Sequence, residues 1–203
     1  MTVPAPLEIR RYVGTAVLPY LDDLARLRMA VFRDWPYLYE GHLDYERDYL
    51  AAYAASPRSV FVLAIDGSDV VGAATGIPLA EDASAFQQPF RERGIPVDRV
   101  FYFGESVLLH DYRGRGIGHR FFDHREAHAQ ELGGFALTAF AAVDRADDDP
   151  RRPDGHHGNE AFWQRRGYRR QPGMTMHLGW KELERGEIDH ALTFWTRELK
   201  RTA

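Results

Sequence analysis

Tyr112-Arg113-Gly114-Arg115-Gly116-Ile117-Gly118 sets three glycines at alternate positions with two arginines among them. Glycine lets a backbone curl into conformations closed to other residues, so successive N–H groups can converge on one point. An apolar run, Val100–Phe103 and then Val107–Leu109, precedes this stretch, and a helix-patterned segment follows it. A strand, a glycine turn and a helix N-terminus together make an anion site, because the first N–H groups of a helix lack partners and the dipole is positive there. Arg113 and Arg115 add formal charge, and the guest these residues suit is a phosphate or pyrophosphate. The plain alternative is a turn that merely joins a strand to a helix. A dinucleotide fingerprint needs G-x-G-x-x-G, which the even glycine spacing does not give, and a Walker loop needs Lys-Ser/Thr after its last glycine.

The elements around this loop follow from periodicity. Leu7 to Val13 reads as a strand, and Pro19 opens a helical stretch carrying Leu21, Leu24, Leu27, Val31 and Phe32. A second helix is expected around Tyr45 to Ala55. Val60–Ile65 and Val70–Pro78 flank Asp66-Gly67-Ser68-Asp69, a hairpin signal. A loop or short helix spans Glu81 to Gly94. Beyond the glycine loop a helix runs to about Leu132, stopped by Gly133-Gly134, and Phe135–Val143 is the next strand. Asp144 to Gly158 is a long polar loop, of the kind that is functional or disordered. A short helix from Asn159 to Arg166 is closed by Gly167, and Tyr168–Gln171 and Thr175–Lys181 read as closing strands. From Glu187 to Lys200, Ile188, Leu192, Trp195 and Leu199 fall on one helical face, so a C-terminal helix is expected there.

This order, together with Arg113-x-x-Gly116-x-Gly118 and the segment Asn159-Glu160-Ala161-Phe162-Trp163-Gln164-Arg165-Arg166-Gly167-Tyr168, resembles the GNAT superfamily of N-acetyltransferases over roughly Leu7 to Lys181. The resemblance implies an α/β (α+β) fold with a mixed, mostly antiparallel sheet of about six to seven strands flanked by helices. Residues 1–181 would form that domain, and 182–203 a helical extension docked on it or on a partner subunit. It also implies acetyl-CoA as co-substrate, with no metal. Backbone groups of Val107, Leu108 and Leu109 would pair with the pantetheine arm. Arg113, Gly114, Arg115, Gly116, Ile117 and Gly118 would hold the pyrophosphate. Asn159 would bond the pantetheine amide, although Asn also suits a helix N-cap for local reasons. Trp163 stands where the family usually has a tyrosine beside the cofactor. An indole cannot act as an acid near neutral pH, so the thiolate is protonated by another group, such as Tyr168, or leaves unassisted. Trp35, Tyr37 and Tyr39 fall where the family's acceptor pocket usually lies, but aromatics there also suit a lid on the core.

Acetyl transfer to an amine needs a proton acceptor, since a lysine-like amine is protonated at neutral pH. Glu105 is the expected base: period 2 aligns it with Val107 and Leu109 on the cofactor strand. The competing expectation is an ion pair with an arginine, because an acid on an apolar strand needs a partner. The expected function is N-acetylation of a primary amine on a small molecule or peptide; a non-catalytic CoA-binding or protein-interaction module is the alternative. Glu40, Asp44, Asp147, Asp148 and Asp149 tilt the acceptor towards a cation. His124 and His128, four apart on one helix, are read as packing rather than as metal ligands, and His156-His157 as solvated loop.

With 203 residues, 44% hydrophobic and 13% aromatic, the chain can bury one substantial core. Its net charge of −4 disfavours nucleic acid or an anionic membrane as partner. The absence of cysteine excludes disulfides, thiolate metal sites and a cysteine nucleophile. With no apolar leader or spanning run, a cytoplasmic protein is expected, and a homodimer is compatible with the C-terminal stripe.

Overall fold

A computed structural model describes residues 7–200. Strand β1 (Glu8–Val13) leads through one tight helical stretch, Gly14–Tyr20, into α1 (Leu21–Phe32) and then α2 (Leu43–Ala54). The hairpin β2 (Val60–Asp66) and β3 (Asp69–Pro78) follows, then α3 (Ser84–Glu92). Next come β4 (Val100–Tyr102), β5 (Ser106–Leu108), α4 (Ile117–Leu132), β6 (Leu137–Val143) and α5 (Glu160–Arg165). The long strands β7 (Arg169–Glu182) and β8 (Gly186–Glu198) close the chain.

The eight strands form one sheet in the order β1-β2-β3-β4-β6-β8-β7, with β5 also on β3. Every pairing is antiparallel except β4 with β6. One face carries α4 and α5 over a core that includes Val60, Val62, Phe101, Phe103, Phe121 and Phe122. The opposite face is covered in two parts. Leu24, Leu27, Leu50 and Tyr53 of α1 and α2 pack on Phe61, Leu63, Ala73 and Val107. Phe90 of α3 packs with Val100, Tyr102, Met176 and Phe194 over the other half. A seam therefore runs between the two helical covers, above the middle of the sheet.

The expected C-terminal helix is corrected: Gly186–Glu198 is a strand between β6 and β7, so the supposed extension belongs to the sheet itself. Residues 201–203 of that expected extension lie outside the described residues. The helical spacing misled because both faces of this inner strand are covered. Leu192, Thr193, Phe194 and Trp195 are all buried in succession, and such a run carries no two-residue period. Its β-branched and aromatic residues are strand formers. The turn from β7 uses left-handed Glu184 (φ 64°) and Gly186 (φ 77°), with the Arg185 N–H on the Glu182 carbonyl. The two expected closing strands are one, β7, whose register with β8 shifts between Arg170 and Thr175.

Candidate active site

The sheet splits at its centre. β3 pairs with β4 through Ile77 and Pro78, and with β5 through Gly72, Ala73 and Ala74. β6 follows β4 only as far as Ala139 opposite Tyr102. Beyond that point β5 diverges, and Phe140–Val143 of β6 pair on their other side with β8 alone. Ser106–Leu108 therefore present a strand edge towards a wedge between β5 and β6, a place where an extended chain could add itself as a strand.

The wedge opens onto the glycine loop. Leu109 is tied back to the Val71 carbonyl at 3.0 Å, and the Tyr112 hydroxyl donates to Asp66 at 2.7 Å, fixing the loop to the β2–β3 hairpin. Gly114 (φ 76°) and Gly116 (φ 77°) are left-handed, so glycine serves here for its backbone freedom. The N–H groups of Gly114 to Gly118 bond no backbone carbonyl, whereas that of Arg113 bonds the His110 carbonyl at 3.0 Å. The cradle is thus one residue shorter than the sequence suggested. A Cβ at Gly114 or Gly116 would meet nothing within 4 Å, so open space lies above the nest. Arg113 and Arg115 are exposed, with Arg115 stacked 4.9 Å from the Tyr112 ring.

At the start of α5, Asn159 is exposed and its side chain makes no cap bond, leaving its amide available to a ligand. Trp163 packs on Phe140 and Trp195, with ring centroids 5.0 and 5.1 Å away. Tyr168 is not brought to this edge. It is 1% exposed among Phe103, Phe122 and Phe140, and its hydroxyl bonds Thr138 (2.9 Å) and Glu126 (3.1 Å). Burial, reinforced by the Glu126 charge, raises its pKa well above that of a free phenol. An acid so enclosed has no route to a thiolate at β5.

Glu105 lies between β4 and β5, on the face of Val107, and points into the seam. Its Oε2 meets Arg28 Nη1 at 2.7 Å and receives the Tyr49 hydroxyl at 3.4 Å. Arg28 also donates to Glu46 at 2.5 Å. All three charged side chains are at most 10% exposed. Burial opposes the arginine's charge, but Glu105, Tyr49 and Glu46 outweigh it and raise its pKa. The arginine partner anticipated for Glu105 is present. Around the pair, burial and the Glu105 charge push Tyr37 up to about 12, and move Tyr49 upward as well. The Tyr37 ring lies tilted against Phe32 and Trp180, with centroids 4.5 and 5.7 Å away. Tyr39 bridges to Glu182 through its backbone, and Trp35 lies beside Arg145 and His156, farther out.

Two residues of the site are missed from the sequence. Asp82 ends the turn after β3 and enters the same seam; burial, with the Glu105 charge adding, pushes its carboxyl up to about 6. Arg125 of α4 is 1% exposed, and no carboxylate pairs with it among the described residues. It donates to the carbonyls of Thr75 (3.2 Å) and Glu105 (3.1 Å) and to Ser106 Oγ (3.0 Å), between the rings of Phe103 and Phe122. It fastens the bend where the sheet splits, and burial pushes it down to about 10. Its position four residues after Phe121, on the apolar stripe of α4, is the only hint the sequence holds.

The Asp144–Gly158 loop is anchored rather than loose. Fully buried Glu182 takes Arg145 and Arg151, both at 2.8 Å. Arg145 also holds the carbonyls of Pro36 (2.6 Å) and Tyr37 (3.0 Å). Several acids read as acceptor-facing are answered locally: Asp149 by Arg151, Glu40 by Lys181, Asp44 by Arg47. His128 is packed, its Nε2 3.0 Å from the Arg58 carbonyl and its ring 5.8 Å from Phe101. No helix among the described residues is long and apolar enough to cross a membrane.

Comparison with known proteins agrees with this geometry. The model of the acetyltransferase (GNAT) family matches residues 22–168. A search of curated proteins finds no match. Among solved structures, an acetyltransferase of the GNAT family from Staphylococcus aureus Mu50 superposes with a TM-score of 0.62 at 15% identity, covering 96% of this chain and 100% of that one. A ribosomal-protein-alanine N-acetyltransferase from Brucella melitensis gives 0.61 at 15%, covering 95% and 100%. The yncA protein from Salmonella typhimurium, solved with its cofactor acetyl-CoA, gives 0.60 at 12%, covering 98% and 97%. Identities this low speak for the fold alone, whereas the family model spans most of the chain and takes in the split strand, the glycine nest and α5: the chain belongs to the acetyltransferase (GNAT) family.

Proposed function

We propose that the protein is an acetyl-CoA-dependent N-acetyltransferase whose acceptor is a primary amine, on a small molecule or a peptide, attacking directly in a ternary complex. The observation that carries this reading is continuity: an unpaired strand edge at Ser106–Leu108 joins an anion nest at one end to an acid-rich seam at the other. Free N–H groups from Gly114 to Gly118 suit the pyrophosphate, and the β5 edge with Asn159 suits the pantetheine amides. With the Leu109 N–H taken by the Val71 carbonyl, the Leu108 stretch of the edge is where a backbone N–H suits a thioester oxygen gaining charge.

The seam supports the amine. Arg28 and, beneath the bend, Arg125 are two positive charges against three carboxylates, Glu46, Glu105 and Asp82, so the local balance favours a cation. Tyr37 and Trp180 offer aromatic faces nearby, with Trp35 farther out. Glu105, fixed by Arg28, draws and orients the ammonium group at the bend of the strand. With Trp163 unable to donate a proton and Tyr168 enclosed, the thiolate leaves the carbonyl carbon without a side-chain acid and takes its proton from the nitrogen that has attacked there.

The missing tyrosine at Trp163 is the one observation favouring a CoA-binding module without turnover. Incubating the purified protein with acetyl-CoA and a broad panel of amines, amino acids and peptides separates the two, with thiol release and acetylated product both measured. Product above background hydrolysis supports the enzyme. Acetyl-CoA binding without product from any amine supports the module, and absence of acetyl-CoA binding overturns both.

A further inference from the structure

Asp82 reaches the seam from the opposite helical cover to Arg28. The turn Leu79–Glu81 carries it off the end of β3, and Gln87 of α3 locks that turn by donating to the carbonyls of Asp82 (2.6 Å) and Ala80 (3.3 Å). Its Oδ1 accepts the Ala83 N–H at 2.7 Å. No arginine, lysine or histidine among the described residues pairs with it, unlike Glu46 and Glu105. Beside it stands Tyr53 of α2, 5% exposed, whose buried hydroxyl is near enough to Asp82 to favour its carboxylate but has no partner within hydrogen-bond geometry. That hydroxyl lines the bend of the split strand: a Cβ at Gly104 would lie 2.8 Å from it and 2.6 Å from Thr75 Oγ1. Glycine at 104 thus keeps two hydroxyls against the backbone where the sheet opens. A buried hydroxyl without a partner is costly, and this one lies between a carboxylate and the bend at which the amine must attack.

We propose that Asp82 is the proton acceptor of the transfer, with the Tyr53 hydroxyl between it and the amine, while Glu105 holds the amine in place. The inference rests on the acetyltransferase reading. The carboxylate of Asp82 removes one proton from the ammonium group, directly or through the Tyr53 hydroxyl. The freed nitrogen pair then forms the N–C bond at the thioester carbonyl, the C–S bond breaks, and the thiolate receives the nitrogen's second proton. Asp82 returns its proton to solvent.

The electrostatic surroundings suit this role. Facing Asp82 are Tyr49 and Tyr53 of α2, Tyr102 of β4 and Glu105, with Arg28 behind Glu105; α3 presents only the neutral Gln87. Neighbouring Glu81 is engaged by Arg58 and Ser56. Burial dominates, and with the Glu105 charge it moves Asp82 up to about 6, against the Ala83 N–H and Tyr53. A carboxyl there is ionised at neutral pH yet a stronger base than an ordinary one. Because its folded pKa lies above the unfolded value, its charge destabilises the fold at pH above about 6, and the penalty fades as pH falls towards 4.

The test compares wild type, Asp82→Asn, Tyr53→Phe and Glu105→Gln with an amine found to be acetylated. Asp82→Asn is expected to lower kcat by about 10²–10⁴, leave KM near wild type and abolish the inflection near pH 6. Its melting temperature should rise relative to wild type at pH 8 and not at pH 4. Tyr53→Phe should lower kcat less and keep the inflection. Glu105→Gln should raise KM and keep the inflection. A wild-type acid limb surviving in folded Asp82→Asn, or lost in Glu105→Gln instead, overturns the role given to Asp82 and leaves the acetyltransferase reading intact. A wild type that binds acetyl-CoA but acetylates no amine overturns both.

Discussion

Between Arg113 and Gly118 the groups that suit an anion are backbone N–H groups from one short run of chain. At the acid-rich seam the groups are side chains, gathered from α1, α2, the turn after β3 and the split strand; Tyr49 reaches Glu105 across 56 positions, and Arg28 reaches it from farther still. The nest needs only local conformation, set by two left-handed glycines and the start of a helix. The seam needs the whole sheet, because its charges tolerate burial only while Arg28, Glu46 and Glu105 remain in register. A backbone site is therefore robust to most side-chain changes around it, and a side-chain site is tied to stability.

The largest effect should follow from Arg28→Met. Glu46 and Glu105 would lose their cation inside the protein, a change costing about 3–5 kcal/mol, read as a large fall in the melting temperature at neutral pH. If stability is unchanged, the seam is not held by its charges and the contrast with the nest fails.

Next comes Gly116→Asp or Gly118→Asp. Asp is acceptable at a helix N-terminus, and a Cβ at Gly118 would be 3.5 Å from Phe162, an ordinary contact; at Gly116 the left-handed backbone (φ 77°) adds strain of about 1–2 kcal/mol. The fold should survive, while the new carboxylate competes for the N–H groups. Loss of one or two charge-assisted hydrogen bonds, at about 1.5–3 kcal/mol each, would weaken acetyl-CoA binding by at least roughly 10-fold. Calorimetry showing wild-type affinity in either folded variant would move the anion site elsewhere.

Tyr168→Phe sharpens the boundary between core and site. Removing a hydroxyl that serves Thr138 and Glu126 should cost about 0.5–1.5 kcal/mol of stability and leave kcat unchanged. A fall in kcat without a fall in stability would restore Tyr168 as an acid. Arg113→Ala should have the smallest effect. Its side chain is exposed, so a pairing worth about 0.2–1 kcal/mol would change acetyl-CoA affinity by less than about fivefold.

By itself the sequence determined what depends on neighbours along the chain. The hairpin around Gly67, the helices α1, α2 and α4, the glycine nest and the family all follow from period, turn residues and one short motif. Glu105 was visible as an acid on an apolar strand, together with its need for an arginine. Tertiary structure decided the rest. It turned the stripe Ile188–Leu192–Trp195–Leu199 into an inner strand, because burial on both faces erases the two-residue period that marks a strand. It took Tyr168 into the core, and it chose Arg28 among the chain's arginines as the partner of Glu105. It set Asp82 beside Tyr53 and Arg125 beneath the bend. Such placements depend on which elements become neighbours across the sheet, and spacing along one chain carries no record of burial or of charges brought close from distant segments.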